Sequence, residues 1–543
     1  MDFGDGGDSP PSAREASGKV RLTAETGKKD PNRGVTRRGF LKAAGAGVAW
    51  IAAAGALGCG PLERASKETP ATNATPAPPS TPAPTRPKDV LAFRSRPDLN
   101  PPGVGVAVPA SGAVAPGYVF VAPKTGPGYE GPVQNGPMIV DNAGQVVWFR
   151  PMRGGDVRAM DFKVQQYRGR PILTWYEGVG TTYGRGEYVI ADTSYREVRR
   201  VRAGNGYAGD HHEFLITAQE TALITIYSPV RWDLSSIGGP RNGIVLDGIA
   251  QEVDIATGEV LFEWHSLDHV GIGESYRAVP EAAGGTFDYF HINSIDVDTD
   301  DNLLVSARTT FAVYKIDRRS GEILWRLGGK RSDFEMGPGT WVRYQHDARR
   351  QPDGTITVFD NGGVQKDDMS YGLVLDLDED EMMATLACEY GESEGNVAAV
   401  MGSMQVLPNS NAFLGWGSEP HFSEFGEDGE LLFSAAFPPE PNSYRAFRFP
   451  WSGQPVDDPA VAAEPGPADG ELTVYASWNG ATEVAAWQAI AGPGPGRLEP
   501  VGPAADRDGF ETAITVRTTQ PYVGVQARDG SGRVLGVSEA VRV

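Results

Sequence analysis

The sequence predicts an all-β protein, a six-bladed β-propeller followed by a small C-terminal β-sandwich. Two observations carry this prediction. First, a motif recurs in which a strand is followed by Asp, a short turn, Gly and a second strand. Second, 69 glycines and 42 prolines in 543 residues supply the turns of such a fold. The motif is clearest at 139–148, 253–262 and 316–325, with weaker copies from 190, 374 and 425. The roughly 50 to 63 residues between copies suit one four-stranded blade with its loops.

Inner hairpins alternate with these outer ones, and they predict how the ring closes. They start near Asp161, His212, His291, His346 and Ser403. The sixth is expected from an early strand at Gly117–Val121 that pairs near a late strand at Tyr444–Arg448. Closure by both ends of the propeller removes exposed sheet edges.

Composition divides the chain into five segments. They are an export signal at 1–59, a tether rich in Pro, Ala and Thr at 60–90, the propeller at 91–452, a second linker at 453–469, and the sandwich at 470–543. Proline-rich tracts cannot bury a core and tend to stay extended. The last segment has the alternating apolar pattern of half-buried antiparallel strands.

The N-terminal segment predicts where the protein acts. Thr36–Lys42 reads TRRGFLK, a twin-arginine export signature, and the apolar run from Ala43 to Leu57 is too short to span a bilayer comfortably. The run ends in a stretch typical of lipoprotein processing before Cys59, which would then carry lipid and leave Cys388 without a disulfide partner. The expected product is a cell-surface lipoprotein, and the alternative is a cleaved, secreted protein.

The charge excludes several partners. A formal net charge of −21 argues against nucleic acid and against an anionic membrane surface, because both demand excess Lys and Arg. The only membrane contact expected is the N-terminal lipid. Nothing in the sequence calls for a cofactor or a metal: the calcium-like stretch from Asp296 to Asp301 has Asp at its sixth position and Ala307 at its twelfth, so we interpret it as a blade turn.

All seven histidines fall in the propeller segment, and three of them stand at the start of the same motif, a strand followed by a polar turn and a second strand. These are His212, His291 and His346, and equivalent positions of radial repeats face one axis. Asn293 lies two residues beyond His291, and Arg308 lies on the returning strand, where a buried arginine requires an anion. Three other histidines, His265, His269 and His421, are expected on loops or blade edges. Asp347 is expected to be structural, because adjacent strand residues point to opposite faces.

Several stretches resemble one known family. They are Asp210–Phe214, Trp264–Val270 with Glu274–Tyr276, Asp288–Asp296, Ser306–Arg308 and Gln345–Arg349. They resemble the arylsulfate sulfotransferases, above all the branch found in actinobacteria and fungi. The resemblance implies a six-bladed propeller that moves a sulfuryl group between phenols without a nucleotide donor, through transient sulfation of a histidine that matches His346. It also implies that His291, Asn293, Arg308 and His212 are the other central polar residues, with His211 able to take the place of His212.

The residue types suit that chemistry. Sulfuryl transfer spreads charge over three oxygens, which the guanidinium fork of Arg308 can bind, and a neutral His346 can attack sulfur. His212 or His291 could protonate the departing phenolate.

The small-molecule partners would be an aryl sulfate and a phenol, while the physiological pair and the oligomeric state stay open. Two alternatives remain: a quinone-cofactor dehydrogenase, disfavoured by six repeats and no paired cysteines, and a noncatalytic propeller that binds an anionic or aromatic ligand.

Overall fold

The structure is a computed structural model that describes residues 89–126, 129, 131–154, 156–180, 183–281, 285–363, 369–392 and 396–543. The predicted export signal, Cys59 and all but the last two residues of the 60–90 tether lie outside this part of the chain, so they stay predictions. In the described ranges no helix is long and apolar enough to cross a membrane. Their secondary structure is nearly all β, which confirms the predicted class.

The strands are numbered in chain order. The first are β1 Gly105–Val108, β2 Tyr118–Val121, β3 Met138–Val140, β4 Val146–Phe149, β5 Arg158–Tyr167, β6 Arg170–Gly180, β7 Gly184–Ala191, β8 Glu197–Val201, β9 Phe214–Ile216, β10 Thr221–Trp232, β11 Gly243–Asp254, β12 Val260–His265 and β13 Thr286–Phe287. Next come β14 Ile292–Val297, β15 Leu303–Ala307, β16 Ala312–Ile316, β17 Ile323–Gly328, β18 Glu335–Met336, β19 His346–Arg350, β20 Ile356–Asp360, β21 Tyr371–Asp378, β22 Met383–Tyr390, β23 Ser403–Val406, β24 Ala412–Gly415, β25 His421–Phe425, β26 Leu431–Ala436 and β27 Ala446–Phe449.

The C-terminal strands are β28 Ala460–Pro465, β29 Glu471–Ser477, β30 Ala486–Gly494, β31 Arg497–Pro500, β32 Ala505–Asp506, β33 Glu511–Arg517, β34 Tyr522–Arg528, β35 Val534–Val537 and β36 Val541–Arg542. The described helices are short: a four-residue α1 at Ser266–His269 and 3₁₀ turns at Ser235–Ile237 and Ile272–Glu274.

Within the described residues, strands β1–β27 form six sheets of four or five strands. One edge strand of each sheet lies next to its neighbours in the adjoining sheets; these innermost strands are β27, β5, β9, β14, β19 and β23. Strand β5 contacts β27 and β9, strand β14 contacts β10 and β19, and strand β23 contacts β20 and β27. The sheets therefore follow one another in a closed ring.

The predicted closure of the ring is confirmed. Strand β2, near the start of the described chain, pairs antiparallel with β27 from Tyr118 opposite Phe449 to Val121 opposite Ala446. Strand β27 is the innermost strand of that sheet, with β2, β3 and β4 outside it. The pairing gives β27 a hydrogen-bonded partner from far away in the sequence.

The recurring Asp and Gly positions have a physical cause in the outer turns. After β3, Oδ1 of Asp141 accepts the backbone N–H groups of Ala143 and Gln145 at 2.9 and 2.8 Å. Gly144 then takes φ +75°, which only glycine adopts cheaply. The same pair recurs as Asp254 with Gly258 and as Asp317 with Gly321.

The C-terminal segment forms two further sheets, one of β28, β29 and β33 and one built on β30 and β34. Apolar side chains of both sheets share one core, including Val474, Trp487, Ile514 and Val525. The predicted linker 453–469 differs from the structure, because β28 lies within it and pairs with β29. Its edge position tolerates the proline at its end, since one side of an edge strand makes no ladder hydrogen bonds.

Cys388 on β22 is disulfide-bonded, so the expectation that it stands alone is wrong. That expectation depended on lipidation of Cys59, which lies outside the described residues. A sulfur atom cannot carry a thioether and a disulfide at once, and the chain has two cysteines. Lipidation of Cys59 therefore stays a prediction that competes with an intramolecular disulfide.

Candidate active site

The three predicted histidines meet at one end of the innermost strands. His212 precedes β9 by two residues, His291 immediately precedes β14, and His346 begins β19. All three are buried, and the rings of His212 and His291 lie 5.0 Å apart. The ring of Tyr444 contacts both His212, at 5.5 Å, and His346, at 6.4 Å. The structure thus brings together the residues that the repeat pattern predicted.

The ring of His346 is oriented by Asn361, which follows β20. Nδ1 of His346 lies 2.7 Å from Oδ1 of Asn361, whose amide nitrogen donates to the carbonyls of Ala398 and Met401 at 2.6 and 2.8 Å. An oxygen held in this way can only accept, so Nδ1 carries the proton and Nε2 keeps its lone pair. Burial lowers the pKa of His346 well below its usual value, and the positive charge of Arg308 lowers it further.

The other two histidines donate to carboxylates. Nδ1 of His212 bonds Oδ1 of Asp210, and Nδ1 of His291 lies 2.5 Å from Oδ2 of Asp288. Burial would raise the pKa of Asp210, but the neighbouring His212 and His211 bring it below its usual range. A carboxylate partner fixes the tautomer and leaves Nε2 of each ring for a substrate. His291 reaches this position with φ +53°, a left-handed conformation that ends the preceding loop.

Arg308 is a buried cation without a counterion. Its backbone N–H donates to the carbonyl of His291 at 2.9 Å, its Nη2 donates to Ala399 at 3.2 Å, and its guanidinium lies over the Tyr344 ring at 4.6 Å. Nε has no partner, and no carboxylate of the described residues forms an ion pair with it. Burial lowers the pKa of Arg308. Such a group favours an anion with several oxygens.

Asn293 is buried next to His346 rather than free in the pocket. Its side-chain amide nitrogen donates to the carbonyl of Gln345 at 2.6 Å, and its backbone carbonyl accepts from Nη2 of Arg445 at 2.9 Å. Oδ1 of Asn293 is buried and has no partner among the described residues. The side chain therefore fixes the residue before His346 and offers one unused acceptor.

His211 packs against His212 and Tyr444. The two neighbouring rings stack at 4.2 Å, and Tyr176 packs on His211 at 5.8 Å. Burial lowers the pKa of His211 to about 3. Because His212 contacts His291 directly, it is the better placed of the pair to act with His291 on one substrate.

Next to the histidines along the innermost strands lies an ionic plug, defined here as Asp161, Lys163, Glu213, Asp347, Arg349 and Arg445. Lys163 lies 2.8 Å from both Asp161 and Glu213, and Arg445 lies 2.8 Å from Asp161 and 3.2 Å from Glu213. Arg349 bonds Asp347 at 2.7 Å and also Glu213. Three cations meet three carboxylates, so the plug is neutral. Asp347 belongs to it, as expected for a structural residue.

Two other groups of predicted residues lie apart from the pocket. His265 ends the edge strand β12 and His269 ends the short helix α1, whereas His421 begins β25, which lies between β24 and β26 rather than at the expected edge or loop. In the calcium-like stretch, Asp298 pairs with Lys315 and Arg350, so its carboxylate is already neutralised. Asp210, His211 and His212 offer three ligand atoms within 4.8 Å, but Asp210 already accepts from His212 and from the Gly184 amide. We assign no metal to that cluster.

A cavity of about 520 Å³ opens at the other end of the same strands, beyond the ionic plug. Its walls include Lys163, Leu215, Arg349, Met404 and Phe447. The histidines lie at the opposite ends of these strands, so this cavity is separate from the candidate site.

Sequence reasoning missed the partners that orient the histidines. Asp210 and Asp288 precede their histidines by two and three residues, whereas Asn361 follows His346 by fifteen. No constant spacing joins these pairs. The one available signal was position, since Asn361 follows a buried strand that pairs with β19.

The family model for arylsulfotransferase (ASST) matches residues 163–438, which include His212, His291, Arg308 and His346. No curated protein sequence matches the chain.

Solved structures show distant similarity. A protein of unknown function from Bacteroides caccae is 14% identical, with a TM-score of 0.38 over 61% of this chain and 98% of that one. An inactive virginiamycin B lyase from Staphylococcus aureus with quinupristin is 8% identical, with a TM-score of 0.32 over 69% and 96%. The Dos1 propeller is 12% identical, with a TM-score of 0.28 over 62% and 70%. We draw no functional argument from these structures, and the assignment depends on the family model, which spans half of the sequence and the whole histidine cluster. The chain belongs to the arylsulfotransferase (ASST) family.

Proposed function

We propose that this protein transfers a sulfuryl group from an aryl sulfate ester to a phenol through a sulfohistidine at His346, without a nucleotide sulfate donor. One observation carries the proposal: a neutral imidazole with a free Nε2 lies close to a buried, unpaired guanidinium. Tyr344 links the two groups, because its ring lies under the guanidinium of Arg308 at 4.6 Å and its carbonyl lies 3.0 Å from Nδ1 of His346. The proposal also takes the six sheets as six propeller blades and the two C-terminal sheets as a β-sandwich.

In the first half-reaction Nε2 of His346 attacks sulfur. An N–S bond forms, the bond from sulfur to the aryl oxygen breaks, and the electron pair leaves with the phenolate. His212 or His291, in the doubly protonated form that keeps its Nδ1–H on the carboxylate, gives its Nε2 proton to the phenolate and becomes neutral. Arg308 donates to the sulfuryl oxygens, where charge accumulates in a loose transition state.

The second half-reaction reverses these roles. The acceptor phenol gives its proton to His212 or His291, its oxygen attacks sulfur, and the N–S bond breaks. His346 returns to its neutral form with the Nδ1 proton still directed at Asn361. Asn293 and His211 are proposed to line the substrate site, through the unused Oδ1 of Asn293 and the ring of His211.

A low pKa suits this role of His346. A protonated imidazole has no lone pair for attack, and burial beside Arg308 disfavours protonation. The nucleophile therefore stays competent in moderately acid solution. A His346 of ordinary pKa near 6.5 would be partly protonated there.

The location of the protein is part of the proposal. We propose export by the twin-arginine route, with a lipid on Cys59 as anchor, or cleavage and secretion in its absence. The tether at 60–90 would then hold the folded domains away from the membrane surface. An enzyme that acts outside the cytoplasm has no ready supply of a nucleotide sulfate donor, which agrees with the use of an ester donor.

A noncatalytic propeller that binds an anionic or aromatic ligand is the second candidate, because an unpaired Arg308 would serve binding equally well. Turnover separates the two. The purified protein is given 4-nitrophenyl sulfate with and without phenol, and nitrophenol release is followed alongside His346→Gln. Release that depends on phenol and is lost in the variant supports the transferase, whereas binding of the ester without any release supports the binding protein.

A further inference from the structure

Besides Arg308, two further cations, Lys124 and Arg158, lie near the part of the histidine cluster that contains His211. Lys124 follows β2 and forms an isolated bridge with Asn442, whose Oδ1 accepts from Nζ at 2.5 Å. Asn442 precedes Tyr444 by two residues, and the Tyr444 ring lies 5.7 Å from the ring of His211. The ammonium group of Lys124 is therefore held beside the segment that contacts the histidines.

Arg158 reaches the same side from the neighbouring sheet. It begins the innermost strand β5 and is 8% exposed. It pairs with Gly178 of β6, and Met160 two residues on pairs with Tyr176, whose ring packs on His211. Gly178 carries no side chain that could cover the guanidinium.

Neither cation has a carboxylate partner in the described ranges, although the chain carries a net charge of −21. Two buried acids of this region are engaged elsewhere, since Asp161, three residues beyond Arg158, pairs with Lys163 and Arg445, and Asp210, next to His211, bonds His212. A desolvated cation without a counterion is unfavourable unless a ligand supplies the negative charge.

Electrostatic effects agree with this placement. Burial lowers the pKa of Lys124 to about 8, and the charge of Arg158 lowers it further. The charge of Lys124 in turn lowers the pKa of His211.

Arg308 comes from another sheet of the ring, since it follows β15 whereas Lys124 follows β2 and Arg158 begins β5. Its backbone bonds His291 and its guanidinium packs on Tyr344, two residues before His346. Arg308 is thus held next to the nucleophile through Tyr344, whereas Lys124 and Arg158 adjoin the segments that carry Tyr444 and Tyr176.

We infer that Lys124 and Arg158 form a second anion-binding subsite, which takes an acidic substituent on the aromatic ring of a substrate. The inference rests on the proposed function, in which Arg308 takes the sulfuryl group. The subsite would select aryl substrates with a second acidic group, such as a carboxylate, at the end of the ring away from the reacting oxygen. The acid could belong to the donor, the acceptor or both.

Binding tests the subsite without any turnover. Calorimetric titration of the purified full chain at low salt compares phenol with 4-hydroxybenzoate, in the wild type and in Lys124→Gln and Arg158→Gln. Arg170→Gln is the matched control, because Arg170 is an exposed cation at the other end of the same hairpin. We expect about tenfold or more tighter binding of 4-hydroxybenzoate, mostly lost in both variants and kept in the control. Equal affinity for the two ligands in the wild type, or an unchanged preference in the variants, would overturn the inference.

Activity then identifies which substrate carries the acid. Phenyl sulfate is compared with 4-sulfooxybenzoate as donor, and phenol with 4-hydroxybenzoate as acceptor. The variants should lose only the preference for the charged member of a pair, and equal losses on neutral and charged substrates would contradict the subsite. If the wild type turns over no ester, the proposed function fails, while the titrations still decide whether the subsite exists.

Discussion

Nδ1 of His346 lies 2.7 Å from Oδ1 of Asn361, and the amide nitrogen of Asn361 is held by two backbone carbonyls. Turning the amide over would place an N–H group against Nδ1 and an oxygen against two carbonyls. The orientation of the amide therefore determines the tautomer of the histidine, and the tautomer leaves Nε2 free for attack. Asn361 is a positioning residue for the proposed nucleophile.

The Asn361→Asp substitution tests this relationship. It keeps an acceptor next to Nδ1 but adds a negative charge, which raises the pKa of His346 and favours the protonated, inactive ring. We expect the acid limb of the kcat/KM profile to move to higher pH, with activity near pH 6 lowered about tenfold. Asn409→Asp, an exposed change, is the control. An unchanged profile would show that Asn361 does not act on the ring.

Arg308→Lys separates charge from shape. Lysine keeps the positive charge but cannot place several N–H groups on the oxygens of one sulfuryl group. We expect kcat/KM for the donor to fall about 30-fold or more, which corresponds to about 2 kcal/mol of lost transition-state stabilisation. Arg319→Lys, in an exposed turn of the same sheet, should behave as wild type. Full activity in Arg308→Lys would contradict direct contact with the sulfuryl group.

Stability should fall in acid, because buried histidines have lowered pKa values. Burial lowers the pKa of His211 to about 3 and lowers those of His291 and His346 too. The unfolded chain binds protons below its ordinary pKa near 6.5 while the folded chain does not, so stability is lost as pH falls from 6.5. Urea titrations at pH 7.5 and 5.5 measure the loss, and His211→Asn should make it smaller. Stability that stays level or rises towards pH 5.5 would contradict these assignments.

The ionic plug should be sensitive to the loss of one charge. Glu213 is fully buried and bonds Lys163, Arg349 and Arg445, so Glu213→Gln leaves an excess of buried positive charge. We expect the free energy of unfolding to fall by about 3 to 5 kcal/mol, measured by urea denaturation. Glu220→Gln, which breaks an exposed pair with Arg168, should change it little. A comparable effect from both variants would mean that the plug contributes no special stability.

The repeat pattern predicted much of the fold and the centre of the site. Because equivalent positions in a ring of sheets face one axis, a histidine at the start of three inner hairpins was enough to bring His212, His291 and His346 together. The closure by β2 and β27 followed from the need to cover sheet edges, and it is confirmed.

The rest depends on distances that no pattern encodes. Asp288 reaches His291 where His291 itself takes a left-handed conformation. Asn361 reaches His346 from the end of β20, the strand that pairs with β19. Strand β28 was missed because its sequence is rich in Ala and ends in Pro, which is typical of linkers as well as of edge strands. Side-chain partners of this kind follow from packing rather than from sequence spacing.

The most direct test is mass spectrometry of the protein after brief exposure to 4-nitrophenyl sulfate without an acceptor, quenched in alkali, with peptide mapping. The account predicts one added sulfuryl group on the peptide that contains His346, its loss when phenol is added, and its absence in His346→Gln. An adduct on another residue, or steady transfer to phenol with no adduct on His346 at any time, would contradict the sulfohistidine mechanism.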